Sequence, residues 1–381
     1  MAKQERSTRR DFLRGWAAVD ALASAVTGPD VEAPAEATEA APARRQATPA
    51  PLLSLQRRAM ACDFEVQLAA GRHNEATRHV LAALDLVEAL EDQLSIYRPH
   101  TEVMRINREA ANGPVHVEPR LFALFTLAAE LHAETGGAFD ITTGPLSEIW
   151  GFSKRAGRMP TDEEAAAALA RVGMDGVVLD AARRTVEFRR SGLSLHLNSI
   201  GKGYALDRMG ELLDSAGVGD YLLHGGRSSV LARGTRPGHS GAGWSIGVPH
   251  PLQVGVRLGE IELVNQSLGT SGSGTQFFEH EGRRYGHLLD PRNGRPVDGM
   301  YSSTAIAATA AEADALSTAF YVMGLAGTAD YCGRHPDVGA ILVTVAADAA
   351  DDERSDGNSS GGVLVSTFGL DAARWQPAES A

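Results

Sequence analysis

Apolar residues along the chain follow two periods, and each period predicts a kind of element. Phe64-Glu-Val-Gln-Leu68 alternates apolar and polar positions, which predicts a strand with one buried face. Between His73 and Leu94, the apolar positions Val80, Leu81, Leu84, Val87, Leu90 and Leu94 recur at helical spacing. Further helices are predicted over Leu121 to Glu134, Thr161 to Val172, Lys202 to Ala216 and Glu312 to Gly324. The second of these opens with Thr161 followed three residues later by Glu164, a capping-box pattern. Val177-Val-Leu179 and Thr185-Val-Glu-Phe188 read as strands around a polar turn. Strands are also predicted at Tyr221 to Leu223, Trp244 to Val248, Glu260 to Val264, Ala340 to Val345 and Val363 to Phe368. Strands and helices mix without a strict βαβα rhythm, so the predicted class is α+β.

The ends of the chain lack this periodicity. Residues 29–51 are rich in Ala, Pro, Glu and Thr and read as a disordered linker. Residues 1–28 contain Thr8-Arg9-Arg10-Asp11-Phe12-Leu13-Arg14, which looks like a twin-arginine export signal. The Ala-rich stretch behind it is only weakly apolar and carries Asp20. The expected location is the periplasm or the outer face of the membrane; a cytoplasmic protein with a basic tail is the alternative. The folded domain is expected over 52–372, interrupted by an acidic, Ser/Gly-rich flexible loop at 348–362.

Composition narrows the function classes. The 381 residues carry a net charge of −12, and the first fifty hold equal numbers of acidic and basic side chains. The acidic excess therefore belongs to the folded domain, against a basic nucleic-acid-binding face. No stretch of about 18 apolar residues predicts a membrane span in the mature chain. Cys62 and Cys332 lie far apart and outside any C-x-x-C pattern, so each is expected to be a buried, inert thiol.

Candidate chemistry concentrates in a few segments. Glycines cluster at Gly136-Gly137, Gly201-Lys202-Gly203, Gly225-Gly226, Gly269 to Gly274 and Gly294. Such loops suit a ligand that needs close backbone approach. The common nucleotide fingerprints G-x-G-x-x-G and G-x-x-x-x-G-K-[ST] are absent in their structural contexts. Lys202 stands at a predicted helix N-terminus, a good place for a phosphate. Asp314 and Thr318 are four apart on a predicted helix, so two hard oxygen donors share one face, as magnesium would require. His287 precedes a short apolar run, Leu288-Leu289, and could act as a base near neutral pH. Each signal alone is more often structural.

Taken in order, the segments resemble the FAD:protein FMN transferase (ApbE) family from about Met60 to Val345. Met60-Ala-Cys-Asp-Phe64 resembles the family's opening Met-Gly-Thr-x-Tyr/Phe strand. Leu94 to Asn107 resembles its segment with an aromatic residue, here Tyr97, and a closing Asn. Thr135-Gly-Gly-Ala-Phe-Asp140-Ile-Thr-Thr-Gly-Pro-Leu146 is close to Gly-Ala-Phe-Asp-x-Thr-x-Gly-Pro-Leu. His287-Leu-Leu-Asp-Pro-Arg-Asn-Gly-Arg-Pro296 is close to His-x-Ile-Asp-Pro-x-Thr-Gly-x-Pro, and Ala313-Asp-Ala-Leu-Ser-Thr-Ala319 to Ala-Asp-Ala-x-x-Thr-Ala. The last three motifs are long and specific.

The resemblance implies an ApbE-like fold of mixed sheets with flanking helices in two closely packed lobes. It implies that Met60, Tyr97, Ala138, Phe139, Asp140 and Leu289 line an FAD site. Lys202 would face the diphosphate, and Asp314, Ser317 and Thr318, with a backbone oxygen near Ser199, would bind Mg2+. His287 would be the catalytic histidine. The implied reaction moves FMN from FAD to a Thr or Ser hydroxyl of an acceptor, a flavoprotein subunit of an electron-transport system, and releases AMP. The sequence departs from the family at His196, where an Asp would contact FAD, and at Asn198-Ser199, where two glycines stand. Gly225-Gly226-Arg227 replaces Gly-Gly-Asp, and Ser273-Gly-Thr275 replaces a polar-aromatic run. Two other readings use the same residues: an FAD pyrophosphatase, and a flavin-binding paralogue without activity.

Overall fold

A computed structural model describes residues 51–70, 75–238, 241–272, 274, 276–345, 362–371 and 373–378. The expected export signal and nearly all of the linker lie outside these residues, as do 348–361 of the acidic loop.

An eight-stranded sheet forms the centre. Across it run Leu52–Ala59, Cys62–Ala69, Tyr221–Gly225, Ser229–Arg233, Ser267–Gly272, Met300–Ala307, Gly339–Val345 and Val363–Phe368. Every neighbouring pair is antiparallel. Alternation along the strands explains the layers. Tyr221, Leu223 and Leu231 join the core shared with the helices, while Leu222, Val230 and Ala232 join the core on the other face. Ala305 and Ala307 part from Ile306 in the same way, and Ala340 and Leu342 from Ile341.

A sheet apolar on both faces must be covered on both. Helices Ala76–Leu94, Pro119–Glu134, Gly201–Ser215 and Ala310–Arg334 supply one cover. A three-stranded sheet, Trp244–Pro249, Arg257–Leu263 and Trp375–Pro377, supplies the other through Trp244, Val248, Ile261 and Leu263. A smaller satellite core gathers Leu146, Trp150, Phe152, Ala168, Val172 and Leu289. Among the described residues no helix is long and apolar enough to cross a membrane.

The expected helices are present. The helix expected over Glu312 to Gly324 begins at Ala310 and breaks at Gly324, at φ 69° and ψ −169°, where a kink separates it from a second helical stretch that runs to Arg334. Tyr331 and Cys332 stay buried beyond the kink, so the second stretch packs on the same core. The capping box at Thr161 and Glu164 forms in both directions. The glycine clusters need a correction. Gly203 and Gly269 serve packing between elements: a Cβ on Gly203 would strike the carbonyl oxygen of Ala310, and one on Gly269 that of Ala313. These two glycines let the first turns of Ala310–Arg334 press against a helix start and a strand. That contact positions the candidate site.

Candidate active site

The helix Ala310–Arg334 is anchored at its start. The Thr309 side chain accepts from Glu312 N, and the Asp207 carboxylate on Gly201–Ser215 accepts from Ala310 N and Ala311 N, both at 2.8 Å. Burial pushes the Asp207 carboxyl up to about 6, against the pull of those amides. Asp314, one turn further on, is buried. Its Oδ2 accepts from Gly203 N at 2.7 Å and its Oδ1 from Ser229 Oγ at 2.6 Å. Burial raises its pKa, while the Lys202 charge and these two donors oppose the rise.

Next to it lies a cluster of hydroxyls. Ser317 Oγ donates to the Asp314 carbonyl oxygen at 2.8 Å, and Ser271 Oγ lies 2.8 Å from Ser317 Oγ and 2.9 Å from Thr318 Oγ1. The structure thus brings Asp314, Ser317 and Thr318 together, with one refinement. The Thr318 hydroxyl meets Ser271 and, at 3.4 Å, the backbone carbonyl of Asp314, rather than its carboxylate. Ser199 is half-buried in the loop that leads into Gly201–Ser215. The donors are one carboxylate, hydroxyls and carbonyls, a hard-oxygen set that fits magnesium. Among the described residues no group of three or more His, Cys, Asp or Glu could hold a metal by itself. The fit is therefore to an ion that keeps water and substrate phosphate among its ligands.

His287 is held from behind. Its Nδ1 lies 3.1 Å from the Gln276 carbonyl oxygen, which also accepts from His287 N at 3.2 Å. A carbonyl can only accept, so Nδ1 carries the proton and Nε2 keeps a free lone pair. The ring meets Phe152 edge-on, with centroids 6.4 Å apart at 74°. Burial lowers the His287 pKa, the Gln276 carbonyl partly opposes this, and the Lys202 charge lowers it further. The imidazole is therefore neutral at pH 7. The Lys202 charge acts on His287, Asp314 and Cys62, so all three lie within its electrostatic reach. Lys202 is the second residue of Gly201–Ser215, whose neighbouring amides are already engaged: Gly201 N donates to the Leu197 carbonyl and Gly203 N to the Asp314 carboxylate, so an anion here would meet chiefly the Lys202 side chain. Cys332 is buried as expected, whereas Cys62 is half-buried on this rim.

The residues expected around a flavin fall in three places. Met60 and Ala61 form a tight left-handed turn, at φ 49° and 60°, between the first two strands. Tyr97 is 66% exposed in the loop after Ala76–Leu94, with its ring free to act as a platform. Ala138, Phe139 and Asp140 are buried, and the Asp140 carboxylate is tied into the protein. It accepts from Thr142 N at 2.6 Å and Thr142 Oγ1 at 2.5 Å, and it lies 3.2 Å from His132 Nδ1. Leu289 lies in the satellite core, where Trp150 Nε1 donates to the Gly294 carbonyl at 2.9 Å. The segments 135–146 and 287–296 thus pack on one another.

The departures are also placed. His196 N donates to the Ile141 carbonyl at 2.7 Å, and its ring packs so closely on Gly144 that no Cβ would fit there. Burial lowers the ring's pKa to about 4. Asn107 grips the preceding residue with both amide atoms, at 3.0 Å to Leu195 O and 2.7 Å from Leu195 N. Arg227 is exposed on the turn between Tyr221–Gly225 and Ser229–Arg233. Sequence reasoning missed Ser229, Ser271, Asp207 and Gln276; only Ser271 had a signal, its place in the Gly269 to Gly274 cluster.

A neutral histidine with a free Nε2, a lysine at a helix start and a largely buried hard-oxygen set form an arrangement suited to phosphoryl transfer from an anionic donor. Residues 60–342 match the model of the ApbE family, and the chain belongs to that family. It is 30% identical over 259 residues to the FAD:protein FMN transferase of Haemophilus influenzae, covering 66% of this chain and 73% of that one. It is 32% identical over 243 residues to the FAD:protein FMN transferase of Vibrio cholerae, covering 63% and 71%. Among solved structures, the apo flavinyl transferase ApbE of Pseudomonas stutzeri is similar with a TM-score of 0.69 and 28% identity, over 84% of this chain and 96% of that one. The flavin transferase ApbE from Vibrio cholerae is similar with a TM-score of 0.70 and 26% identity, over 84% and 98%.

Proposed function

We infer that the chain is an FAD:protein FMN transferase, which moves FMN from FAD to a Thr or Ser hydroxyl of an acceptor protein and releases AMP. The observation that carries this reading is the tautomer of His287: Nδ1 is tied to Gln276, and Nε2 is a free, neutral base in the same charge neighbourhood as Lys202 and Asp314.

His287 Nε2 accepts the proton of the acceptor hydroxyl as its oxygen attacks the FMN phosphorus. The anhydride bond breaks, and its electron pair leaves on the AMP oxygen. Lys202, at the start of Gly201–Ser215, holds the diphosphate against this attack with its side-chain charge. Asp314, Ser317 and Thr318, with Ser271, would hold a magnesium ion, which when bound neutralises phosphate charge. Tyr97 offers its exposed ring to the isoalloxazine, and Phe152 keeps one side of the His287 ring dry.

The acceptor is a flavoprotein subunit of an electron-transport chain, and the twin arginines send this enzyme out through the export route for folded proteins. His287→Asn tests the central role. It should still quench flavin fluorescence on binding FAD, yet lose FMN transfer by roughly 10²–10⁴-fold. Full transfer activity in that variant would remove His287 from the mechanism. Arg9→Lys with Arg10→Lys should retain the protein in the cytoplasm of its host, and unchanged export would refute the signal.

A further inference from the structure

The end of the large sheet that carries the site is built from turns. Gly226, Arg227 and Ser228 connect Tyr221–Gly225 to Ser229–Arg233. The turn is clamped on both sides: Gly226 N donates to the Asp63 carbonyl at 2.9 Å, and Thr270 N donates to the Ser228 carbonyl at 2.7 Å. Gly226, at φ +65°, packs on Cys62. Arg227 is thus fixed through its backbone while its side chain is exposed. Among the described residues its guanidinium has no hydrogen bond and no ion pair.

Its surroundings belong to the transfer site. A Cβ on Gly225 would lie 3.6 Å from the Cβ of Lys202. Ser229, two residues beyond Arg227, holds the Asp314 carboxylate. Thr270, bonded to Ser228, precedes Ser271 of the hydroxyl cluster. Lys202 is therefore next to the base of the Arg227 turn, and its charge also reaches His287.

We propose that Arg227 binds the donor nucleotide through the phosphate of the leaving adenylate. This rests on the FMN-transfer reading of the site. In-line displacement puts the attacking hydroxyl and the leaving oxygen on opposite sides of the phosphorus. His287 receives the hydroxyl proton on the attack side. The electron pair of the broken anhydride bond gathers on the adenylate phosphate, on the side away from His287. A guanidinium suits that phosphate because its planar fork can give two parallel hydrogen bonds. A rigid glycine turn lets it do so with little loss of backbone freedom on binding.

The test compares binding of FAD, AMP and riboflavin to the full chain and to Arg227→Ala and Arg227→Lys, with thermal melting to establish that each variant folds. A hydrogen-bonded charge is worth roughly a ten- to hundredfold change in affinity. Arg227→Ala should weaken FAD and AMP by about that factor, leave riboflavin within about twofold, and remove part of the salt dependence of FAD binding. Arg227→Lys should recover part of the loss, because the charge returns without the fork. Unchanged affinity for AMP and FAD in Arg227→Ala would make the residue an ordinary solvated arginine and overturn the proposal. A parallel loss for riboflavin would also overturn it, by showing a distorted turn. Failure of the wild-type chain to bind FAD would instead overturn the transferase reading itself.

Discussion

Replacing His196 with leucine should flatten the acid side of the stability curve. The half-buried ring packs against Gly144, and this desolvation lowers its pKa from the ordinary 6.5 to about 4. The unfolded chain then binds the proton that the folded chain refuses. Between these two pH values the unfolded state carries more protons, so stability falls as pH falls. Above 6.5 the contribution is fully present; below about 4 it is gone. A tenfold difference in proton affinity between the two states is worth about 1.4 kcal/mol. The whole loss is therefore about 3 kcal/mol, of which about 2 kcal/mol is lost by roughly pH 5.

Other histidines titrate in the same range. His224 and His287 are also lowered by burial and act in the same direction. His132 is raised, chiefly by its bond to Asp140, and acts in the opposite one. The wild-type profile is their sum, so the informative quantity is a difference. Urea unfolding of wild type and His196→Leu at several pH values between about 7.5 and 4.5 supplies it. The stability gap should move by about 2–3 kcal/mol in favour of the variant on going to acid. Parallel profiles would show that the His196 ring takes up its proton as easily folded as unfolded, and that its burial against Gly144 is not what the packing indicates.

Three further outcomes follow from the site. The lowered pKa of His287 keeps its base form available in mild acid, so the acid limb of kcat/KM for FMN transfer should have its midpoint below 6.5; a midpoint at or above that value would assign the limb to another group. Asp314→Ala should all but abolish AMP release and weaken the magnesium requirement of any residual activity, and near wild-type turnover at low magnesium would refute the ligand assignment. Gly203→Ala forces a methyl group onto the Ala310 carbonyl and should cost roughly 1–3 kcal/mol in urea unfolding, with no loss expected if the helix start could simply move away.

The legible parts of the chain were those whose signal is local. Helical spacing from Val80 to Leu94 and the alternation at Phe64 to Leu68 report burial directly, and both elements are present. Ser267–Gly272 carries no such pattern. Its Ser, Gly and Thr residues read as a ligand loop, yet they form a strand between Ser229–Arg233 and Met300–Ala307. Gly269 is there because the backbone of a helix presses on it, a relation between segments that no local window contains. Ser229 was invisible for a similar reason: a serine in a strand has no signature until Asp314, 85 residues away, points at it. Asp207 reads as a helix-surface carboxylate and becomes a cap only through a helix start 103 residues later. Gln276 contributes a carbonyl, which every residue type has, so its part in setting the His287 tautomer leaves no mark on the sequence.

Two of the departures from the family pattern share one electrostatic direction. His196, neutral by burial, stands where the pattern has a carboxylate, and Arg227 puts a cation where it has another. Each change removes a negative charge relative to that pattern, while Asp314 and its hydroxyl neighbours are kept. The two sites differ in what they can do with that change. His196 is half-buried with its ring packed at Gly144, so its substitution alters mainly folding stability and its pH dependence. Arg227 is exposed on a clamped turn, so its charge is free to act on a ligand. A carboxylate at either place would repel an unshielded diphosphate. On the proposed reading, its removal would let Lys202 and Arg227 take a larger share of the donor's charge, and the oxygen cluster at Asp314 would be left to hold a metal.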